Sequence, residues 1–287
     1  MTKPTIRIGC DPELFAFDTT TNKPVSVHDL LPGTKHEPYV VPKGAVQVDG
    51  VAAEFNIDPA ATRGEFLKNI SRVSRMLSTI VRAKNENIIL KATPTVLFEE
   101  KYFEELPFNT KALGCEPDYD AYTGKVNKKP KTDRPMRTGS GHVHIQFVPD
   151  GEFVERPGVG DHFARCCELA RCLDISLYEP SLMWDTDKER QQLYGKPGAF
   201  RPKPYGLEYR VLSNAWLNES FLQMYVFDAT LNTTLKWLSG FDLYRRWKDT
   251  GKNSFKQLWD FMDNNSIPSI RCYAPEGYIG YEHAVAD

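Results

Sequence analysis

The sequence predicts an α+β fold, on three observations. Segments alternating with period two recur at 5–17, 45–57, 88–98, 141–147 and 207–213. Between and after them, apolar residues return at helical spacing over 62–84, 160–178, 215–238 and 254–264. No internal repeat or low-complexity linker divides the 287 residues, so one domain, 1–287, is expected.

Each element has its own signal. Residues 5–17 (TIRIGCDPELFAF) read as a strand bent near Pro12. Residues 45–57 read as two strands broken at Asp49-Gly50, a hairpin dipeptide. In the next segment Phe66, Ile70, Val73, Leu77, Ile80 and Val81 form a helical stripe. Thr62 followed by Glu65 fits a capping box at its start. Residues 88–98 read as a strand, and Pro94 suits an edge position. Residues 104–138, rich in Pro, Gly, Asp and Lys, show no period and read as a functional loop or lid. Strand 141–147, helix 160–178, a basic loop (YGKPGAFRPKPYG), strand 207–213 and helices 215–238 and 254–264 follow, with 273–287 as a tail.

Composition narrows the function classes. With 36 basic and 38 acidic residues the formal charge is −2, which argues against broad nucleic-acid binding. No apolar run reaches a membrane span, and the amino-terminal residues lack a signal-peptide stretch. The six cysteines (Cys10, Cys115, Cys166, Cys167, Cys172 and Cys272) form no CxxC pair and read as reduced thiols. The expectation is a soluble cytoplasmic protein with small-molecule partners and no membrane or nucleic-acid partner.

The informative feature is charge inside strands. Side chains two apart share a strand face. That groups Asp11 with Glu13, Phe15 and Phe17, and likewise Glu54 with Asn56, His142 with His144, and Glu208 with Arg210. Carboxylates and imidazoles gathered on one sheet face are costly unless a cation or ligand compensates them. Their oxygen and nitrogen donors suit Mg²⁺ or Mn²⁺ better than structural zinc. Magnesium sites of this kind usually share the ion with phosphates, and Arg137, Arg190, Lys196, Arg201 and Lys203 are the cations to receive them. The acidic segment EPDYDAY (116–122) is a further candidate for positioning an amine or a metal-bound water. GxSxG, GxGxxG, the P-loop pattern and HExxH are all absent.

The ordered motifs GCDPELF (9–15), DGVAAEFN (49–56), GCEPDYDAY (114–122), GSGHVHI (139–145), LYGKPGAFR (193–201) and GLEYRVLSN (206–214) resemble the phage-encoded carboxylate–amine ligases of type 2. Those belong to the glutamine synthetase and glutamate–cysteine ligase superfamily. The resemblance spans about residues 6–216. It implies a glutamine-synthetase-like catalytic domain, with a curved, mainly antiparallel sheet forming a funnel and helices on its outer face. It implies a reaction in which ATP phosphorylates a carboxylate and an amine displaces the phosphate, on cell-wall peptides or amino acids. If the chain is phage-encoded, the compartment is the host cytoplasm.

The resemblance also implies roles. Glu13 and Glu54 would ligate a metal on the carboxylate side, and Asp11, His142 and Glu208 a second metal bridging the ATP phosphates. His144 would contact nucleotide phosphate, Arg210 the transferring phosphoryl group, and Arg201 a phosphate. Glu54 or an acid within 116–120 would take the amine's proton. Asp11-Pro-Glu13 departs from the ExE of glutamine synthetase, the methionine usual before its HxH is missing, and no counterpart of its small amino-terminal domain is seen. Oligomeric state is left open, and 104–138 is the candidate lid. Two other readings compete: a guanidino-kinase-type phosphotransferase on the same funnel-shaped sheet, and a non-catalytic binding protein on a ligase scaffold.

Overall fold

Thirteen strands and nine α-helices are found among the described residues of the computed structural model, which are 6–111, 118–128, 134–148, 160–276 and 278. The first sheet contains β1 (Arg7–Cys10), β9 (Tyr119–Asp120), β11 (Val143–Gln146), β12 (Ala199–Lys203) and β13 (Gly206–Tyr209), in the order β1-β11-β13-β12-β9. The second contains β2 (Glu13–Asp18), β3 (Pro24–Val25), β4 (Tyr39–Val41), β5 (Gly44–Asp49) and β6 (Ala52–Ile57), ordered β3-β2-β6-β5-β4, with β7 (Ile88–Lys91) also on β2. A ribbon of β8 (Thr95–Leu97) and β10 (Met136–Thr138) stands beside them. Every named pairing is antiparallel, and the sheets curl into a half-barrel with helices packed against it.

The bend at Pro12 does more than interrupt a strand. It carries the chain from one sheet into the other, so Asp11 directly follows β1 while Glu13 opens β2. Hydrogen bonds tie the seam: Glu13 N–H donates to Ser140 O (2.9 Å), Phe55 N–H to Pro12 O (3.2 Å) and Ile8 N–H to Ala60 O (2.9 Å). The Asp49-Gly50 hairpin forms as the sequence implies, with Gly50 at φ 59°, the left-handed region that favours glycine.

Helix α1 (Arg63–Lys84) covers the second sheet. Its buried Phe66, Ile70, Val73, Leu77 and Val81 recur every three or four residues, and each contributes roughly 1.5–3 kcal/mol by leaving water. Thr62 caps it by accepting Glu65 N–H at 3.3 Å, but the Glu65 carboxylate reaches the N–H of Ala61 (3.1 Å) rather than that of the cap residue. Of the shorter helices, α2 (Glu100–Glu105) and α3 (Phe108–Lys111) follow β8, while α5 (Glu179–Ser181) and α6 (Lys188–Leu193) precede β12. Helix α4 (Gly160–Leu173) backs β12 and β13, then widens into a π-helical turn, Asp174–Tyr178. Helix α7 (Ser220–Leu238) packs between α1 and α4 and is buried on most sides, which weakens its amphipathic pattern. Helices α8 (Leu243–Asp249) and α9 (Phe255–Asn264) close the order, the latter with a complete Ser254/Gln257 capping box. Among the described residues, no helix is long and apolar enough to cross a membrane.

Four sequence expectations need correction. Segment 88–98 is two strands, because the turn at 92–94 separates β7 on β2 from β8 on β10. Segment 104–138 is not one structureless loop: α3, β9 and β10 form within it, while 112–117 and 129–133 lie outside the described residues. The basic loop contains β12. Pro202 is tolerated there because β9 pairs only with Ala199 and Phe200, leaving no partner strand to need its missing N–H. The proposed tail begins inside the fold, since Tyr273 donates its hydroxyl to Asp228 (2.8 Å) and Tyr278 stacks edge-on against Phe221.

Candidate functional site

Pleating of the first sheet sorts its residues onto two faces. Ile8, Cys10, Val143, Ile145, Phe200, Leu207 and Tyr209 point into the core and are buried. The alternate positions form a polar grid. Register sets Gly9, His144, Glu208 and Arg201 in one row across β1, β11, β13 and β12. Arg7, Gln146, Gly206 and Lys203 form the next row. Just past the strand ends, Asp11, His142 and Arg210 continue the same face. Gly206 must lack a side chain: its φ is 152°, and a Cβ would lie 2.1 Å from Ile145 O.

Glu208 is the centre of this grid and is 1 % exposed. Its carboxylate receives Arg210 Nη1, Arg201 Nη1 (3.1 Å) and Lys203 Nζ (2.9 Å). Burial alone would raise its pKa, but the charge of Arg210, helped by both imidazoles, outweighs that and holds the group ionised well below the usual carboxylate range. Asp11 is also held low. Burial opposes this, and the charges of His144 and His142 overcome it. His142, packed beside Arg210, is pushed down by burial and by that cation, whereas His144 is raised because the Asp11 charge outweighs its desolvation.

Arg210 is fixed on three sides: Nε donates to Asp118 (3.3 Å), Nη1 to Glu208 and Nη2 to the Tyr194 hydroxyl. Behind the sheet a buried carboxylate anchors the same strand. Tyr209 and Tyr122 donate their hydroxyls to Asp174 at 2.6 and 2.7 Å, and burial pushes Asp174 up to about 7. Tyr122 belongs to the segment that carries Asp118, so Asp174 grips both Arg210's strand and the loop of Arg210's partner.

Glu13 and Glu54 oppose each other in the β2–β6 register. Gln47 donates to Glu54 (3.0 Å) and Ser140 N–H to Glu13 (2.9 Å). Burial and the Asp49 charge raise Glu13 to about 7, and burial with the charges of Asp11, Asp49 and Glu13 raises Glu54 well above its ordinary value. Two adjacent carboxylates resisting ionisation are a natural place for a cation to bind.

A cavity of about 580 Å³ opens over the grid. Asp11, Glu54, His144, Arg201, Lys203 and Glu208 line it, with Arg7, Gln146 and Tyr205 at its side. Asp11, His142 and Glu208 each offer a ligand atom within 4.8 Å of the others, a set suited to a divalent cation. Asp11 Oδ1 lies between the two imidazoles, 3.0 Å from His144 Nε2 and 3.3 Å from His142 Nδ1.

Three sequence candidates fall elsewhere. Arg137 is half-buried over the Phe103 ring and donates to the carbonyls of Met136 and Lys111. Lys196 is exposed on the turn before β12. Arg190 is buried, bonded to Val211 O (3.2 Å) and paired with Asp185 (3.5 Å). From the acidic segment, Asp118 reaches the site while Glu116 lies outside the described residues. Sequence reasoning missed Tyr194 and Tyr205, since tyrosines in a Gly/Pro-rich stretch carry no periodic signal. Five cysteines are free among the described residues. Comparison with protein-family models and with curated protein sequences gave no match to this chain.

Proposed function

We propose that the chain is an ATP-dependent carboxylate–amine ligase with a glutamine-synthetase-like catalytic domain, joining a carboxylate to an amine through an acyl phosphate. The observation that carries this reading is the polar grid. Asp11, His142 and Glu208 gather within ligand distance of one another, while Arg201, Lys203 and Arg210 converge on the same carboxylate. A curled antiparallel half-barrel backed by helices is the coarse architecture that this reading requires.

The chemistry needs charge neutralisation and positioning more than a protein nucleophile. Bound Mg²⁺ or Mn²⁺ would neutralise phosphate oxygens and spread developing charge. Asp11, His142 and Glu208 are the residues to hold it, and Glu13 with Glu54 the residues for a second ion. Arg201 and Lys203 bind phosphate oxygens by charge-assisted hydrogen bonds. Arg210, pre-aimed by Asp118 and Tyr194, supplies a planar fork to the transferring phosphoryl group. Glu54, or an acid of the 116–120 segment, is the group to accept the proton of the attacking amine. Amino acids and cell-wall peptides are the substrate classes, and ATP use with reduced thiols fits the cytoplasm, that of the host if the chain is phage-encoded.

The test is a coupled ADP-release screen with Mg²⁺, ATP and a matrix of amino acids and peptidoglycan fragments, read by mass spectrometry. A ligase releases ADP and phosphate only when acid and amine are both present. A stable phosphorylated acceptor would make the protein a kinase instead, and no ATP turnover with any pair would remove the enzymatic reading.

A further inference from the structure

Charge is segregated on two helices that pack against opposite faces of β2. Successive residues of a strand point to opposite sides. Leu14 and Ala16 enter the core that α1 covers, while Phe15 and Phe17 pack with Tyr102 and Phe103 of α2. Helices α1 and α2 therefore stand on opposite sides of the second sheet. On the outer face of α1, Lys68, Arg72 and Arg75 recur at i, i+4 and i+7. With Lys43 from the β4–β5 turn they line a groove of about 890 Å³ that also holds the half-buried Leu67 and Met76. Glu65, the one acid of that lining, turns its carboxylate to Ala61 N–H (3.1 Å). Among the described residues none of the four cations enters an ion pair.

Helix α2 carries the opposite sign. Glu100, Glu104 and Glu105 are exposed and enter no ion pair among the described residues, while Glu99 before them is taken by Lys23 (2.5 Å). Lys101 is the one cation of this helix. Glu100 and Glu104 repeat the i, i+4 step of Lys68 and Arg72, roughly 6 Å along a helix axis. Just beyond α2 stands Phe108, at 86 % the most exposed large apolar side chain among the described residues. Acids beside an exposed ring on one surface thus match cations around an apolar floor on the other, the apolar-centre and polar-rim arrangement of protein interfaces. Like charges one turn apart weaken a helix, and both helices carry them. With the sheet between them, a single chain cannot bring its own acids to its own cations.

We infer that the groove on α1 docks a second copy of this chain through that copy's α2 and Phe108. Donor and acceptor surfaces differ, so the contact is head-to-tail and each copy keeps one surface to offer onward. No residue of the polar grid takes part, and the inference stands apart from the ligase reading.

The experiment is sedimentation velocity of the full chain in about 50 mM and about 0.5 M NaCl, which brackets weak and strong charge screening. Self-association is expected in low salt and at least roughly tenfold weaker in high salt. Arg72→Glu with Arg75→Glu, and separately Glu100→Lys with Glu104→Lys, should each give a monomer with the wild-type circular dichroism. Mixing the two variants should restore association, because the first keeps an acidic α2 and the second a basic groove. A monomeric wild type at both salts overturns the proposal. Association that survives either reversal overturns it too, as does a mixture of the two folded variants that stays monomeric. A monomeric wild type that binds a labelled oligonucleotide, and loses it with Arg72→Glu and Arg75→Glu, overturns it in favour of a nucleic-acid surface.

Discussion

Replacing Asp174 by Asn tests the buried anchor behind the site. The carboxyl is 2 % exposed and has a pKa of about 7, against 3.8 for a free side chain. Because the folded value is raised, the native state holds the proton that the unfolded chain releases. Its stabilisation is complete below about pH 3.8 and fades as pH rises through 7. Between those values the slope is about −1.4 kcal/mol per pH unit, and integrating from pH 5 to pH 8 gives about 3 kcal/mol. Asn cannot titrate, so its variant lacks this slope while carrying a constant penalty of roughly 1–3 kcal/mol for imperfect hydrogen bonding to Tyr122 and Tyr209. Urea denaturation of both proteins at pH 5, 6, 7 and 8 gives the comparison, and their difference cancels the titrations they share. The stability gap should shrink by about 3 kcal/mol across that range. Parallel curves would refute the raised pKa and with it the account of Asp174 as a buried protonated anchor.

Glu208→Ala and His142→Ala are expected to fold and to lose ATP turnover by at least roughly 100-fold; near-wild-type rates in both would dismiss the metal assignment. Arg210→Lys should be comparably damaging, because an ammonium cannot hold Asp118, Glu208 and Tyr194 in one plane. A silent swap in steady-state kinetics would end its clamp role. Leu77→Ala in the core face of α1 should cost about 2–5 kcal/mol in urea denaturation, with a smaller loss showing that the helix is not packed as described. Thr62→Ala should cost about 1 kcal/mol in the same assay, and no loss would discard its capping role.

Local pattern made much of the site legible. Alternation of period two put His142 with His144 and Glu208 with Arg210, and side-chain contacts join both pairs, the imidazoles through Asp11 and Arg210 directly to Glu208. The helical stripe of α1 was equally plain. What sequence hid was non-local: nothing in GSGHVHI says that its strand lies between GCDPELF and GLEYRVLS, or that Arg201 faces Glu208. Strand β12 was masked by its own Gly and Pro residues, which mark turns except where a neighbouring strand is too short to need every N–H. Period two alone places Asp11 and Glu13 on one face of one strand, yet Pro12 hands them to different sheets. Asp174 looked like one polar residue in a helix, because its two tyrosine partners come from 52 residues before it and 35 after it. Charge and proximity in sequence point to Arg137 and Lys196, and neither property specifies where a side chain ends.

The turn at Asp11-Pro12-Glu13 is the shortest route between the two halves of the barrel. Any ligand gripped by both carboxylates would therefore bridge the two sheets at the point where the chain crosses between them. Its grip would then depend on the placement of both sheets, and so on the packing of α1 behind one and α4 behind the other.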